Sequence, residues 1–144
     1  MATRTARTAW NGGLMDGTGE VELTSSKSGT FDVTFPRRTA DEAQGTSPEE
    51  LLAAAHSSCF SMQLSGEIAN AGGTPVSLAV TADVSVNRDP AGGLRINSIQ
   101  IKVVGEVQGL DEAGFRKAAE QAGVNCPVSK ALTGTEITVD ASLA

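Results

Sequence analysis

The segment SPEELLAAAHSSCFSMQLSGEIAN, residues 47–70, decides the fold of this chain. Ser47 is a typical N-cap, Pro48 suits the first helical position, and Glu50 stands three residues after the cap. Asn70 and the following glycines are typical of a helix end. The sequence therefore predicts a helix of about 23 residues, and its largely apolar or small side chains predict that this helix is buried.

Shorter elements are predicted on both sides of this helix. Before the helix, alternating and turn-rich patterns predict strands at 3–10, 18–25 and 30–35 and a loop at 37–46. After it, the patterns predict two strands joined by a turn, 75–89 and 94–107, then a helix at 110–123, a short helix from 126 and a strand at 136–143. Strands and helices are segregated along the chain, which predicts an α+β fold with an antiparallel sheet and a long central helix.

Two local patterns refine these elements. The apolar alternation of the strand at 94–107 changes parity at Ser98, which predicts a β-bulge or a bend. In the helix at 110–123, four small or aromatic residues share one side and predict its buried face; they are Phe115, Ala118, Ala119 and Ala122.

Length and charge limit the class of protein. A chain of 144 residues is expected to form a single domain over 1–144. It has 11 Lys and Arg against 17 Asp and Glu, a formal net charge of -6, so we expect no nucleic-acid partner. No run approaches the roughly 18 apolar residues of a membrane helix, so no membrane partner is expected.

The first ten residues, MATRTARTAW, have no apolar core of the kind found in secretion signals. Their arginines and threonines faintly resemble a transit peptide, but the alternation around Trp10 fits a first strand equally well. We therefore expect a cytoplasmic protein. In such a reducing compartment, a pair of thiols is more often chemical than structural.

The two cysteines are the first candidates for chemistry. Cys59 and Cys126 form no CxxC motif, and with a single histidine in the chain they do not favour a metal site. Cys59 could simply be a small core residue on an apolar helix. Cys126 precedes Pro127 at a predicted helix start, where backbone N–H groups favour a thiolate. Local electrostatics alone therefore favours Cys126 as the reactive thiol.

Two segments give the chain a recognisable pattern: GTSPEELLAAAHSSCFSM and NCPVSKAL, which are separated by a long hairpin and a helix. The chain resembles the osmotically inducible protein C family, which has the organic hydroperoxide resistance proteins as relatives. The HSSCFSM motif is more similar to the osmotically inducible branch than to the hydroperoxide resistance branch. The resemblance implies a small homodimeric thiol peroxidase, with two intertwined chains and active sites at the dimer interface, and no cofactor or metal. It also implies an organic hydroperoxide substrate, with hydrogen peroxide as a second candidate, and an external dithiol reductant.

The resemblance also implies roles for individual residues. Cys59 would attack the peroxide, Cys126 would resolve the sulfenic acid, and Glu49 would match the family glutamate. The family arginine falls in the doublet Arg37-Arg38, of which Arg38 is chosen because its continuation resembles the family's. Arg37 stays open as the alternative.

Helix geometry bears on whether one chain can form this site. At 1.5 Å per residue, Glu49 and Cys59 are about 15 Å apart along a straight helix. We therefore expect Arg38 and Glu49 to serve Cys59 of a second chain, unless the helix is broken. A buried helix also needs more cover than one small sheet provides, which again favours a homodimer.

Two other functions stay open from the sequence. His56 lies three residues before Cys59, so a Cys–His acyl hydrolase or transferase is possible, although a lone histidine there is more often a packed core residue. A protein of the same fold that only binds small apolar ligands is the other alternative. Met62, Phe60 and Leu64 could line a substrate pocket or belong to the core.

Overall fold

The computed structural model describes residues 1–144, which form two compact units, Met1–Leu51 and Leu52–Ala144. In the first unit, β1 (Arg7–Asn11), β2 (Thr18–Glu22) and β3 (Thr30–Val33) form an antiparallel sheet in the order β1-β2-β3. The prediction that 1–144 is a single domain stays a prediction.

A short helix follows β3 where the sequence predicts the end of a strand and a loop. Helix α1 covers Phe35–Arg38. The side chain of Thr34 accepts a hydrogen bond from the backbone N–H of Arg37 and so caps the helix. Pro36 lies in the first turn, where its missing N–H costs nothing. The prediction was wrong here because Pro36 starts a helix as well as it ends a strand.

The central helix matches its prediction. Helix α2 runs without a break over Pro48–Asn70, 23 residues, and the Ser47 hydroxyl accepts a hydrogen bond from the backbone N–H of Glu50. The unbroken helix removes the possibility of a break between Glu49 and Cys59. No helix of the chain combines the length and the apolar character required to span a membrane.

The second unit contains a long hairpin followed by two helices and a strand. These elements are β4 (Thr74–Arg88), β5 (Leu94–Gln108), α3 (Glu112–Asn125), α4 (Pro127–Ala131) and β6 (Glu136–Leu143). Ser85 pairs with Ser98 while Val86 pairs with Ile96, so Asn97 is the extra residue of a bulge. The bulge predicted from the parity change at Ser98 is therefore confirmed.

The α+β class is confirmed, but the expectation of an antiparallel sheet needs one correction. The sheet order is β4-β5-β6, and β6 pairs with β5 in the parallel direction. The physical reason is the connection: α3 and α4 lie between the two strands, and such a helical crossover is what parallel neighbours require.

One apolar core fills the second unit. It combines residues of α2, α3 and the sheet: Phe60, Leu64, Ile68, Ile99, Ile101, Val103, Phe115, Ala118, Ala119, Ala122, Cys126 and Ala141. The predicted face of the helix at 110–123 is thus confirmed. The ring of Phe115 lies on the backbone of Gly105, where a Cβ atom would come within 2.6 Å of it.

The expectation that α2 is buried around most of its circumference is wrong for the single chain. Only one stripe, at every fourth residue, is buried, and it consists of His56, Phe60, Leu64 and Ile68. The opposite side is exposed although its residues are small or apolar; they are Ala54, Ala55, Ser58, Met62, Gly66 and Ala69. One small sheet with a second helix covers one side of a helix and leaves the other open.

Candidate active site

The two cysteines lie next to each other in the second unit. Both are free thiols, and their Sγ atoms are 3.2 Å apart although 67 residues separate them in the sequence. Cys59 lies in the middle of α2 and is partly exposed, whereas Cys126 is fully buried at the start of α4. A disulfide has an S–S distance of about 2.05 Å, so a movement of about 1 Å joins them.

The surroundings of the two thiols shift their pKa values in opposite directions. Burial raises the pKa of Cys59; the backbone N–H of Val128 opposes this, and the neighbouring Cys126 adds to the increase. Burial also tends to raise the pKa of Cys126, but the backbone N–H and hydroxyl of Ser129, with the Cys59 thiol and Val128, outweigh it and lower that pKa. When the pair loses its first proton, the negative charge therefore lies mainly on Cys126.

His56 does not pair with Cys59. Its Nε2 atom lies 2.8 Å from Oγ of Ser129, and its Nδ1 atom is buried without a hydrogen-bond partner. Burial lowers the pKa of His56, so the ring is neutral near pH 7. A Cys–His nucleophile requires a hydrogen bond between the two side chains, but His56 contacts Ser129 and not Cys59.

Arg38 and Glu49 form a forked ion pair in the first unit. Nη2 of Arg38 donates to Oε1 of Glu49 at 2.6 Å, and Nε donates to Oε1 and Oε2 at 3.0 and 3.2 Å. Burial tends to raise the pKa of Glu49, but the hydrogen bonds and charge of Arg38, with hydrogen bonds from the backbone N–H of Glu49 and from Ser47, together outweigh it and hold that pKa below its usual 4.5. Arg37 uses its backbone N–H to cap α1 and is not part of this pair.

Arg38 also lies on the wall of an apolar cavity of about 420 Å³ within the first unit. Its lining residues are Thr8, Trp10, Leu14, Val21, Val33, Thr34, Phe35, Arg38, Pro48 and Leu51. A cavity of this size and lining suits the apolar part of a small organic molecule, with the guanidinium fixing a polar end.

A second, more open cavity of about 350 Å³ lies beside Cys59. Cys59, Met62, Gln63, Gly66 and Pro127 line it, and the side chain of Met62 is exposed. Phe60 and Leu64 are completely buried and belong to the core. Of the three apolar residues considered for a pocket, only Met62 is therefore free to contact a substrate.

Comparison with known proteins identifies the family. The sequence model described as "OsmC-like protein" matches residues 40–142. Peroxiredoxin OsmC of Escherichia coli (strain K12) is 40% identical over 134 residues, which cover 93% of this chain and 92% of that protein. The chain belongs to the OsmC-like family. Peroxiredoxin OsmC of Shigella flexneri matches with the same identity and coverage.

Solved structures have the same fold as this OsmC-like chain. The organic hydroperoxide resistance protein OhrB of Bacillus subtilis is 26% identical, with a TM-score of 0.72 and coverage of 97% of this chain and 98% of that chain. An organic hydroperoxide resistance protein from Elizabethkingia anophelis, 24% identical, covers 99% of both chains with a TM-score of 0.75. The predicted family and fold are both confirmed.

The four site residues chosen from the sequence fall into two pairs in this OsmC-like chain, Cys59 with Cys126 and Arg38 with Glu49. Ser129 was not among the residues chosen from the sequence, although it lies in the family-like segment NCPVSKAL. Its signal was the buried histidine, whose ring needs a polar partner. No group of three or more His, Cys, Asp and Glu side chains comes together in an arrangement that could hold a metal ion.

Proposed function

We propose that this OsmC-like peroxidase reduces organic hydroperoxides by a two-cysteine cycle, in which Cys59 attacks the peroxide and Cys126 resolves the product. The observation that carries the proposal is the 3.2 Å separation of the two free thiols. The relation to a protein named a peroxiredoxin, 40% identical over 93% of this chain, supports the same chemistry. Neither step needs a metal, haem or flavin.

In the first step, the proton of the pair moves from Cys59 to Cys126, against the preference within the single chain, and the Cys59 thiolate attacks the hydroperoxide. The S–O bond forms, the O–O bond breaks, and Cys59 becomes a sulfenic acid while an alkoxide leaves. This alkoxide takes a proton from solvent and becomes the alcohol, and Cys126 then loses its own proton to solvent. Because Cys59 has a raised pKa, it needs a nearby cation, and Arg38 is the residue that supplies it. Glu49 holds the guanidinium fork in one orientation.

In the second step, the Cys126 thiolate attacks the sulfur of the Cys59 sulfenic acid. The disulfide forms, the S–OH bond breaks, and the departing hydroxide takes a proton from solvent to become water. An external dithiol then reduces the disulfide by thiol exchange. This need for continuous reduction suits a protein of the reducing cytoplasm.

The apolar cavity beside Arg38 favours organic hydroperoxides over hydrogen peroxide. With a dithiol in excess, we expect kcat/KM for cumene hydroperoxide to exceed that for hydrogen peroxide by about tenfold or more, since only the organic substrate fills the cavity. Leu14 lines this cavity but is largely exposed, so Leu14→Asn is expected to fold normally. This change lowers kcat/KM for cumene hydroperoxide about threefold to tenfold and leaves that for hydrogen peroxide unchanged.

Leu94 is the matched control, because it is a half-exposed leucine outside the cavity. Leu94→Asn leaves both substrates unaffected. A wild-type protein that reduces hydrogen peroxide as fast as cumene hydroperoxide, with Leu14→Asn acting equally on both, would contradict the organic substrate class.

We also propose that the working unit is a homodimer in which Arg38 and Glu49 act on Cys59 of the other chain. Ten residues of unbroken helix separate Glu49 from Cys59, about 15 Å at 1.5 Å per residue, which is too far for one guanidinium to contact both. The exposed side of α2, with Met62 at 69% exposure, is a small-residue face that a second copy can cover.

Mixing two inactive variants tests this arrangement. Arg38→Ala keeps Cys59, and Cys59→Ser keeps Arg38, so a mixed dimer holds one complete site only if the residues act between chains. After the two are unfolded and refolded together in equal amounts, about one quarter of wild-type activity is expected, because half of the dimers are mixed and each has one of two sites. No recovery, in a mixture that forms mixed dimers, would place the residues within one chain.

The two alternative functions have less support. An acyl hydrolase would need His56 beside Cys59, but the histidine contacts Ser129. A protein that only binds apolar ligands has no use for two thiols at 3.2 Å or for a forked ion pair. We therefore propose no second function.

A further inference from the structure

A buried polar pair lies behind the two thiols and takes no part in the steps above. His56 on α2 and Ser129 on α4 are both buried, at 0% and 8% exposure, and their Nε2 and Oγ atoms are 2.8 Å apart. Ser129 stands three residues after Cys126, and His56 stands three residues before Cys59. Burying two polar side chains in an apolar core is costly unless each is hydrogen-bonded, so their partners need to be identified.

The unpartnered nitrogen of His56 indicates where the ring proton lies. A proton on Nδ1 would leave a buried N–H group without an acceptor. A proton on Nε2 is used instead, because it is donated to Oγ of Ser129. The neutral ring is the favoured form, since burial lowers the pKa of His56. His56 is thus the donor and Ser129 the acceptor, which leaves the hydroxyl proton of Ser129 available for another group.

We infer that Cys126 accepts this hydrogen bond, because Ser129 stands three residues after Cys126 in the first turn of α4, so the two side chains lie on the same side of the helix. The Ser129 side chain and backbone N–H both stabilise the charged form of Cys126, whose sulfur lies 3.2 Å from that of Cys59. The inferred direction of hydrogen-bond donation is therefore from His56 to Ser129, across the observed 2.8 Å contact, and from Ser129 to Cys126. The titratable groups gathered around Ser129 are His56 and Cys59 from α2 and Cys126 from the start of α4.

We propose that the Ser129 hydroxyl, oriented by His56, stabilises the resolving thiolate of Cys126 and directs it at the Cys59 sulfenic acid. The inference rests on the proposed two-cysteine cycle and assigns two further residues to its second step. Cys126 forms the S–S bond and hydroxide leaves with a solvent proton, while Ser129 donates a hydrogen bond throughout and keeps its proton. His56 does not touch the reacting sulfur and is a positioning residue.

Ser129→Ala is expected to slow resolution without slowing the first step. Slower resolution lengthens the lifetime of the Cys59 sulfenic acid, which then reacts with a second peroxide molecule to give sulfinic acid. At a fixed excess of cumene hydroperoxide, rapid quenching and mass spectrometry should find about tenfold more sulfinic acid relative to disulfide at Cys59, the effect of losing one hydrogen bond to a charged group. The rate of the first turnover stays at its wild-type value. A variant damaged only in folding would slow both steps.

Two further variants separate the hydrogen bond from simple packing. Ser129→Thr retains a hydroxyl and restores the wild-type ratio of sulfinic acid to disulfide. His56→Leu fills a similar volume but cannot orient Ser129, so it raises the ratio in the same direction as Ser129→Ala. Equal effects of Ser129→Ala and Ser129→Thr would overturn the role of the hydroxyl.

A second readout does not depend on peroxidase activity. In a Cys59→Ser background, Cys126 is the remaining thiol, and its thiolate is followed by ultraviolet absorbance as a function of pH. Ser129→Ala raises the pKa of Cys126 in this background, and Ser129→Thr does not. An unchanged titration together with normal disulfide formation overturns the Ser129 proposal alone. Wild-type protein that forms no disulfide with peroxide overturns the two-cysteine cycle itself.

Discussion

Replacing Cys59 by serine lowers peroxide reduction by about a thousandfold or more, whereas replacing Cys126 by serine leaves the first turnover at its wild-type rate. A hydroxyl group is not ionised near neutral pH and cannot replace the thiolate that attacks the O–O bond. Cys126→Ser stops the cycle later, at the sulfenic acid, because no second thiol lies 3.2 Å away to form the disulfide. Single-turnover consumption of cumene hydroperoxide, with trapping of the sulfenic acid by dimedone, measures both results.

This pair of variants is also the sharpest check on the order of the two thiols. The pKa of Cys126 is lowered and that of Cys59 is raised, so electrostatics within the second unit alone favours Cys126 as the attacking group. The proposed cycle assigns the attack to Cys59, because its sulfur is the partly exposed one and shares a cavity with Met62. Loss of the first turnover in Cys126→Ser alone would reverse the two roles.

Arg38→Ala is expected to lower kcat/KM for cumene hydroperoxide by about a hundredfold to a thousandfold, the usual cost of removing a preorganised donor to developing negative charge. The guanidinium stabilises both the Cys59 thiolate and the departing alkoxide. Arg38→Lys recovers only a small part of this loss, because an ammonium lacks the fork that engages both Glu49 oxygens. Initial rates at several substrate concentrations, far below saturation, give the ratio directly.

Arg37→Ala is the matched control for this prediction. Arg37 is the neighbouring arginine of the same short helix, but its backbone N–H, which the substitution keeps, makes the cap contact with Thr34. Its activity is therefore expected to stay within about twofold of wild type, since exposed charges away from a site have small effects. A large loss in Arg37→Ala with little loss in Arg38→Ala would exchange the two arginines.

Local signals in the sequence predict several elements of this fold well. Helix α2 begins and ends as the capping serine, the proline and the glycines predict, and the parity change at Ser98 locates the bulge at Asn97. These features depend on residues close together in the chain. The parallel pairing of β6 with β5 depends on how a helical crossover returns to the sheet, which no local pattern encodes.

The site was predictable to the same extent. Family motifs lead to Cys59, Cys126 and Glu49 as candidates. The choice of Arg38 over Arg37 stays a prediction, and the ion pair with Glu49 that favours it is visible only in the three-dimensional structure. Ser129 was overlooked because a serine beside a cysteine has no distinctive pattern; its importance comes from the contact with His56 across 73 residues of chain. The exposed side of α2 was also unexpected. An apolar sequence pattern predicts that a helix is buried, but it does not show whether the same chain or a second copy buries it.

The most direct test of the two-cysteine cycle is the intact mass of the reduced wild-type protein before and after one equivalent of cumene hydroperoxide. We expect a loss of two hydrogen atoms per chain, with cumyl alcohol as product, and return of the original mass when a dithiol is added. Peptide mapping should then find Cys59 joined to Cys126. An unchanged mass with intact hydroperoxide, or a stable added oxygen atom at one cysteine with the other still reduced, would contradict the account.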